Sequence, residues 1–170
     1  ATARAGNVIG GGDWADQRII PDCVKCWSKN QKVELRNPHS TRPWQHVLEP
    51  LGGYLLLGAH LSENKELHGE AFNFGPQAQQ NHTVLELVRE MSLSWPKVRW
   101  IECEPRSPKF YESGLLKLNC DKALHFLNWH ALLNFEETVA LTANWYRTFY
   151  ESPDTIYSET KKQISEYSKK

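Results

Sequence analysis

Short β-compatible runs alternate along this chain with stretches where apolar residues recur every three to four positions, and that alternation restricts the fold to the α/β class. Ala1 to Ile9 is small and β-compatible and ends in Gly10-Gly11-Gly12, so it predicts a buried strand entering a loop. Ile20, Val24 and Trp27 then fall at helical spacing, with Pro21 near the start. Val33 to Arg36 reads as a strand and Leu48 to Leu61 as a buried helix. Within that helix Gly52-Gly53 predicts close packing against another backbone. Glu70 to Phe74 is the next strand. Thr83 caps a helix through Val84, Leu87, Val88 and Met91, with Glu86 at the capping-box position.

The remainder continues the pattern. Val98-Arg99-Trp100-Ile101 alternates like a strand, Glu104 to Glu112 is a polar, Pro-broken loop of the kind that carries ligand contacts, and Leu115 to Leu118 is a further strand. Asp121 is placed to cap a short helix, and Asn134-Phe135-Glu136-Glu137 opens a longer one that would turn Val139, Leu141, Trp145 and Phe149 to the core. After Ser152-Pro153 the segment is charged and Ser-rich, with Ile156, Ile164 and Tyr167 spaced for an added helix. The division expected is residues 1–150 as one unit and 151–170 as a charged tail or helix.

Bulk properties remove several function classes. Twenty basic residues balance twenty acidic ones, so no global field attracts nucleic acid or a membrane surface. The longest apolar run, Tyr54-Leu55-Leu56-Leu57, is far too short to span a bilayer. The start shows no signal-peptide pattern and opens with a strand already under way, which points to a partial chain. Cys23 and Cys26 are spaced Cys-x-x-Cys, but Cys103 and Cys120 do not supply the matching pair, so no metal site is expected. Reduced thiols in a cytoplasmic protein are the expectation.

The stretch with most chemical content is Val33-Glu34-Leu35-Arg36-Asn37-Pro38-His39 followed by Arg42-Pro43-Trp44-Gln45-His46-Val47. Arg36 and Arg42 place cations at both ends of a turn between two short apolar segments, and a guanidinium fork suits a phosphate-bearing small molecule. The alternative is a surface arginine beside a structural Pro-Trp pair. His46 falls on the opposite face from Val47 in a packed segment and reads as structural. Asn7 offers amide donors at the carboxyl end of a strand, where open α/β sheets place ligands; otherwise it shapes a turn. Arg18 stands at a helix start, where a cation is unfavourable without an anion nearby; a ligand or an ion pair with Asp16 or Asp22 would supply one. The Gly10-Gly11-Gly12 run is neither a Walker loop nor a dinucleotide fingerprint, because Asp13-Trp14 follows it.

Four blocks in order carry a family resemblance: Ala3 to Trp14, Arg18-Ile19-Ile20-Pro21-Asp22, the Arg42 run, and Asn73-Phe74-Gly75-Pro76. Together they resemble the C-terminal half of nucleotide-sugar dehydratases and epimerases of the extended short-chain dehydrogenase/reductase family. The resemblance runs from Ala1 to about Tyr150, and its wording is that of the CDP-linked 4,6-dehydratases. It implies the last strands of a doubly wound Rossmann-type fold plus a small α/β substrate-binding lobe. It also implies a CDP-sugar substrate, NAD held mainly by an N-terminal half outside this chain, and a homo-oligomeric lyase of surface-polysaccharide (O-antigen) biosynthesis. Asn7, Arg18, Arg42 and Asn73 match substrate-binding positions of the family, Arg42 as the diphosphate clamp. Glu112 matches the acidic member of a His-Glu or His-Asp pair whose His is replaced here by Tyr111, and Arg106 is a neighbouring candidate.

The family's coenzyme turn is absent, and its Tyr-x-x-x-Lys pair is not found in the expected setting; the run Tyr157-Ser158-Glu159-Thr160-Lys161 lies in the tail. No catalytic residue is assigned, and the chain alone is expected to be inactive. The wording favours cytidine, with an oxygen of the Val33 to Arg36 segment facing the base. Alternatives are a relative acting on dTDP- or UDP-sugars, a stand-alone nucleotide-sugar binding module, and an interaction domain whose seven tryptophans mark a protein interface.

Overall fold

The computed structural model describes residues 1–95, 98–103 and 116–170. The expected first strand is divided into β1 (Thr2–Ala5) and β2 (Asn7–Ile9) at Gly6. A side chain at Gly6 would crowd the Pro43 carbonyl at 2.9 Å, and the Gly6 N–H still donates to the Phe74 carbonyl at 3.0 Å. β1 is also mostly exposed rather than buried, because among the described residues it pairs on one edge only.

Helix α1 (Ile19–Trp27) buries the expected stripe, Ile20, Val24 and Trp27, with Pro21 in the first turn where no helical hydrogen bond is lost. β3 (Val33–Leu35) alternates buried and exposed. The short β4 (Thr41–Arg42) and β5 (Trp44–His46) flank Pro43. α2 (Leu48–Glu63) follows, then a 3-10 turn at Lys65–Leu67, β6 (Ala71–Phe74) and β7 (His82–Thr83). The Gly52-Gly53 pair does not meet another backbone: a side chain at Gly53 would fall inside the Phe74 ring, and one at Gly52 would face the Tyr167 hydroxyl at 3.6 Å.

α3 (Val84–Ser94) carries the capping box read from the sequence: Glu86 N–H donates to Thr83 Oγ1 at 3.1 Å and Thr83 N–H to Glu86 Oε2 at 2.6 Å. β8 (Trp100–Glu102) is shorter than expected. Leu116 to Leu118 is not a strand. Asp121 is the first residue of α4 (Asp121–Leu127) rather than its cap; Asn119 Oδ1 accepts the Asp121 N–H at 2.9 Å. α5 (Phe135–Glu151) has its own capping box from Asn134 and Glu137. Its buried face is Val139, Thr142, Ala143 and Tyr146; Leu141, Trp145 and Phe149 are only half-buried, because a second face of α5 is occupied by α6 (Ile156–Tyr167).

Among the described residues the strands pair two by two: β1 with β6, β2 with β5 and β3 with β8 in parallel, β4 with β7 antiparallel. One core gathers α1, β3, α3 and α5 around Val24, Leu35, Leu87 and Tyr146. A second gathers Phe72 and Phe74 of β6 with Leu57, Leu127 and Trp129. Among the described residues, no helix is long and apolar enough to cross a membrane.

α6 is tied down by three side chains. Trp145 Nε1 donates to Thr160 Oγ1 at 2.9 Å, Gln163 Nε2 to the Leu141 carbonyl at 3.0 Å, and the Tyr167 hydroxyl to Glu49 Oε2 at 2.9 Å. Glu49 is 1% exposed, and its other oxygen accepts the backbone N–H groups of Leu132 and Leu133 at 2.9 and 2.7 Å. One buried carboxylate thus joins α2, the segment leading into α5 and the end of α6. Burial raises its pKa against the opposing effect of those hydrogen bonds.

Candidate substrate-binding cleft

A cleft of about 600 Å³ opens where β1 gives way to β2. Asn7 lines it on one side, and Asp13, Gln17 and Arg18 from the β2–α1 loop line another. Arg42 and Trp44 enter from β4 and β5, and Leu118 closes one edge. Asn7 sits opposite Trp44 in the parallel β2–β5 register, so the pairing sets its place at the cleft.

Arg42 is 8% exposed and donates from Nη1 to the Thr41 carbonyl at 2.8 Å. Its position follows from the antiparallel pairing of β4 with β7, which puts Arg42 opposite His82, and from Pro43 ending the short strand. Arg18 pairs with Asp13 at 3.0 Å and not with Asp16 or Asp22; Asp16 is taken by Lys25 at 2.8 Å. Among the described lining residues, Arg18, Arg42 and Asp13 carry charge. A buried guanidinium beside a half-neutralised second one favours an anion with more than one charged oxygen.

Asn7, Arg18 and Arg42 therefore come together. Arg36 and Asn73 do not line this cleft. Arg36 is exposed after β3, and the Val33 to Arg36 segment expected to face the base pairs with β8 away from the lining. Asn73 donates from Nδ2 to the Asn119 carbonyl at 3.1 Å, tying β6 to the segment before α4. Arg106 and Glu112, with Tyr111, lie outside the described residues. A second groove of about 560 Å³ lies beyond Leu118, among Gly75, Lys117, Trp129 and His130.

His46 is 2% exposed, and burial lowers its pKa from 6.5 to about 4, so it is neutral at physiological pH. Its Nδ1 accepts the Leu48 N–H at 3.4 Å, which puts the proton on Nε2. Cys23 is buried on α1, and burial pushes its thiol pKa up. Among the described residues no three His, Cys, Asp or Glu side chains gather as a metal site. Tyr157 and Lys161 have the full Tyr-x-x-x-Lys spacing, one helical turn apart. They sit on α6, with Lys161 Nζ 5.5 Å from the Tyr157 ring centre and Tyr157 72% exposed, outside the cleft lining.

Sequence reasoning missed Asp13 and Gln17. An acidic residue directly after a glycine run at a strand end was the available signal for Asp13. Nothing local identifies Gln17, whose φ of 64° bends the loop.

The glycine run does not fit a coenzyme pyrophosphate. Gly12 has φ 84°, a conformation that favours glycine, and a side chain at Gly11 would fall inside the Trp145 indole. The backbone approach that the glycines allow is used by an indole.

No protein-family model matches the chain. In sequence it is 40% identical over 168 residues, 98% of its length, to CDP-glucose 4,6-dehydratase of Salmonella typhimurium, of which it covers 46%. The chain thus spans about half the length of the curated relative it matches. Among solved structures it resembles a UDP-glucose 4-epimerase of Stenotrophomonas maltophila with bound NAD, at TM-score 0.73 and 18% identity over 87% of this chain and 47% of that one. It also resembles the dTDP-glucose 4,6-dehydratase of Bacillus anthracis in complex with NAD, at TM-score 0.66 and 18% identity over 91% and 46%. The chain is a sequence relative of CDP-glucose 4,6-dehydratase and carries the Rossmann-type fold of the NAD-dependent nucleotide-sugar epimerases and dehydratases over about half of their length.

Proposed function

We propose that this chain is the substrate-binding part of a nucleotide-sugar 4,6-dehydratase, with CDP-glucose as substrate. The observation that supports it most is the gathering of Asn7, Arg18 and Arg42 on one cleft in a chain 40% identical throughout to a CDP-glucose 4,6-dehydratase. Arg42 forks onto the diphosphate from a buried position. Arg18 adds a second cation from the loop, and the Asn7 amide donates to a phosphate or sugar oxygen. None of these groups is assigned a proton transfer. Their work is to bind the substrate and hold its sugar for chemistry supplied elsewhere.

In this reading residues 1–150 carry the substrate cleft and the last strands of the coenzyme fold, and 151–170 add a supporting helix. NAD, the acid and the base belong to a part of a complete enzyme not contained in these 170 residues. The exposed edge of β1 and the exposed Leu51 and Leu55 of α2 are where that part would pack. A complete enzyme of this kind is a cytoplasmic homo-oligomer in surface-polysaccharide biosynthesis. Arg36 and Asn73 keep a substrate role in this proposal only if the complete enzyme brings them to the cleft, and Arg106 and Glu112 stay candidates for the same site.

Competition binding of CDP, UDP and dTDP to the chain tests the reading. A preference for CDP supports the cytidine branch, because a base offering an acceptor where cytosine offers N4–H leaves a buried oxygen unpaired at a cost of about 1–3 kcal/mol. Equal affinities reduce the proposal to the wider epimerase/dehydratase group, and no binding of any of the three removes it.

A further inference from the structure

The Gly10 to Arg18 loop forms a wall of the cleft; Lys25 of α1 holds its far end, donating to the Trp14 carbonyl and to Asp16, each at 2.8 Å, and α5 backs its start. The Trp145 indole fills the space beside Gly11 and lies 3.7 Å from where a side chain at Gly12 would begin. The Tyr146 hydroxyl, on a fully buried side chain, donates to the Asp13 carbonyl at 2.6 Å. Trp14 packs on the same helix, 5.3 Å from Tyr146 and 4.8 Å from Phe149 between ring centres. On its other side Asp13 faces the cleft. Its Oδ1 accepts the Ala15 N–H at 3.0 Å, and its Oδ2 holds Arg18 Nη1 at 3.0 Å.

The indole that backs the loop is itself oriented from α6. Trp145 Nε1 donates to Thr160 Oγ1, and Thr160 in turn donates to the Ile156 carbonyl, so the acceptor is fixed by helix geometry. The contacts run from the C-terminal helix through two neighbouring aromatic side chains to the loop backbone, and from the loop to a cleft cation. Each link is a packed ring or a directed hydrogen bond, the kind of contiguous network through which coupling is carried.

We propose that Tyr146 and Thr160 are positioning residues for the cleft: α6 fixes Trp145, Trp145 and Tyr146 fix the Gly11–Asp13 backbone, and Asp13 holds Arg18 where it meets the phosphate groups of a bound nucleotide. This rests on the substrate reading given above. It gives the 151–170 segment a function in ligand binding although no α6 residue is among the described residues that line the cleft.

The test measures CDP and cytidine binding by calorimetry in the 170-residue chain, with folding checked by near-UV circular dichroism. The variants are Thr160→Val, Tyr146→Phe and each of these combined with Arg18→Ala. The expected result is a loss of CDP affinity of about 2- to 30-fold in both single variants, with cytidine affinity unchanged. In the Arg18→Ala background the same substitutions should change nothing further, because the residue through which they act is gone. Thr160→Val is a same-shape change on a half-buried residue and keeps the test available if Tyr146→Phe does not fold. A parent chain that binds no CDP overturns the substrate reading and this proposal together. A parent that binds CDP while Thr160→Val matches it, or an equal further loss in the Arg18→Ala background, overturns this proposal alone.

Discussion

Acidification should destabilise this protein in part through one residue, His46. The ring is 2% exposed, its Nδ1 is committed to the Leu48 N–H, and its Nε2 has no partner among the described residues. A second proton would create a buried cation, and burial accordingly lowers the pKa from 6.5 to about 4. The unfolded chain takes up this proton below its ordinary value while the folded chain resists it, so the unfolded state binds more protons between about pH 6.5 and 4. The stability associated with neutral His46 is therefore complete above 6.5 and is lost as pH falls through the folded value. At 1.36 kcal/mol per pH unit the full difference is about 3 kcal/mol, of which about 2 kcal/mol is gone by roughly pH 5. Urea unfolding at about pH 7.5 and 5 measures it; with a slope of about 2 kcal/mol per molar, the midpoint should drop by about 1 M from this residue. His46→Asn keeps an acceptor near the Leu48 N–H and removes the titration. Its smaller side chain costs about 1–3 kcal/mol at neutral pH. The decisive quantity is the difference in acid-induced loss between parent and variant, from which the other titrating groups cancel. Equal losses in both would show that His46 does not resist protonation in the folded state.

Arg42→Ala should weaken CDP binding by about 1.5–3 kcal/mol through loss of a charge-assisted hydrogen bond, and Arg42→Lys should recover only part of it; equal calorimetric affinities in all three would place Arg42 outside the site. Glu49→Leu should lower stability by about 3 kcal/mol or more in urea unfolding, since it strands two backbone N–H groups and the Tyr167 hydroxyl, whereas Glu49→Gln should cost about 1 kcal/mol. Because burial raises the Glu49 pKa, its carboxyl takes up a proton more readily when folded. Its contribution falls as pH rises from the unfolded value of 4.5 through the higher folded one, and the Gln variant should lack that slope. Gly11→Ala should displace Trp145, lower stability by about 1–3 kcal/mol and alter near-UV circular dichroism; an unchanged spectrum and midpoint would mean that the indole does not back the loop.

What was legible from the sequence is what neighbouring residues decide. The stripe of α1, the capping box of α3 and the Asn134–Glu137 opening of α5 are set by side chains within a turn or two of one another. The break at Gly6 was not legible, because it is made by Pro43 and by β1 and β2 pairing with different strands. Arg36 and Arg42 look alike locally, and only the pairing of β4 with β7 puts Arg42 at the cleft while Arg36 faces solvent. Asp13 and Tyr146 are 133 positions apart, so no local pattern could join them. The tail's helical spacing was visible in the sequence; its link to the cleft through Trp145 was not.

Nucleotide binding in the cleft between β2 and β4 can be read from the amide chemical shifts of the isotope-labelled chain titrated with CDP. Saturable shifts are expected at Gly6, Asn7, Gly10 and Arg42, with smaller ones along Asp13 to Arg18. Shifts confined instead to Gly75 to Ala78 and Trp129 to Ala131 would place the ligand in the second groove, and a titration that moves no amide would mean that this chain binds no CDP.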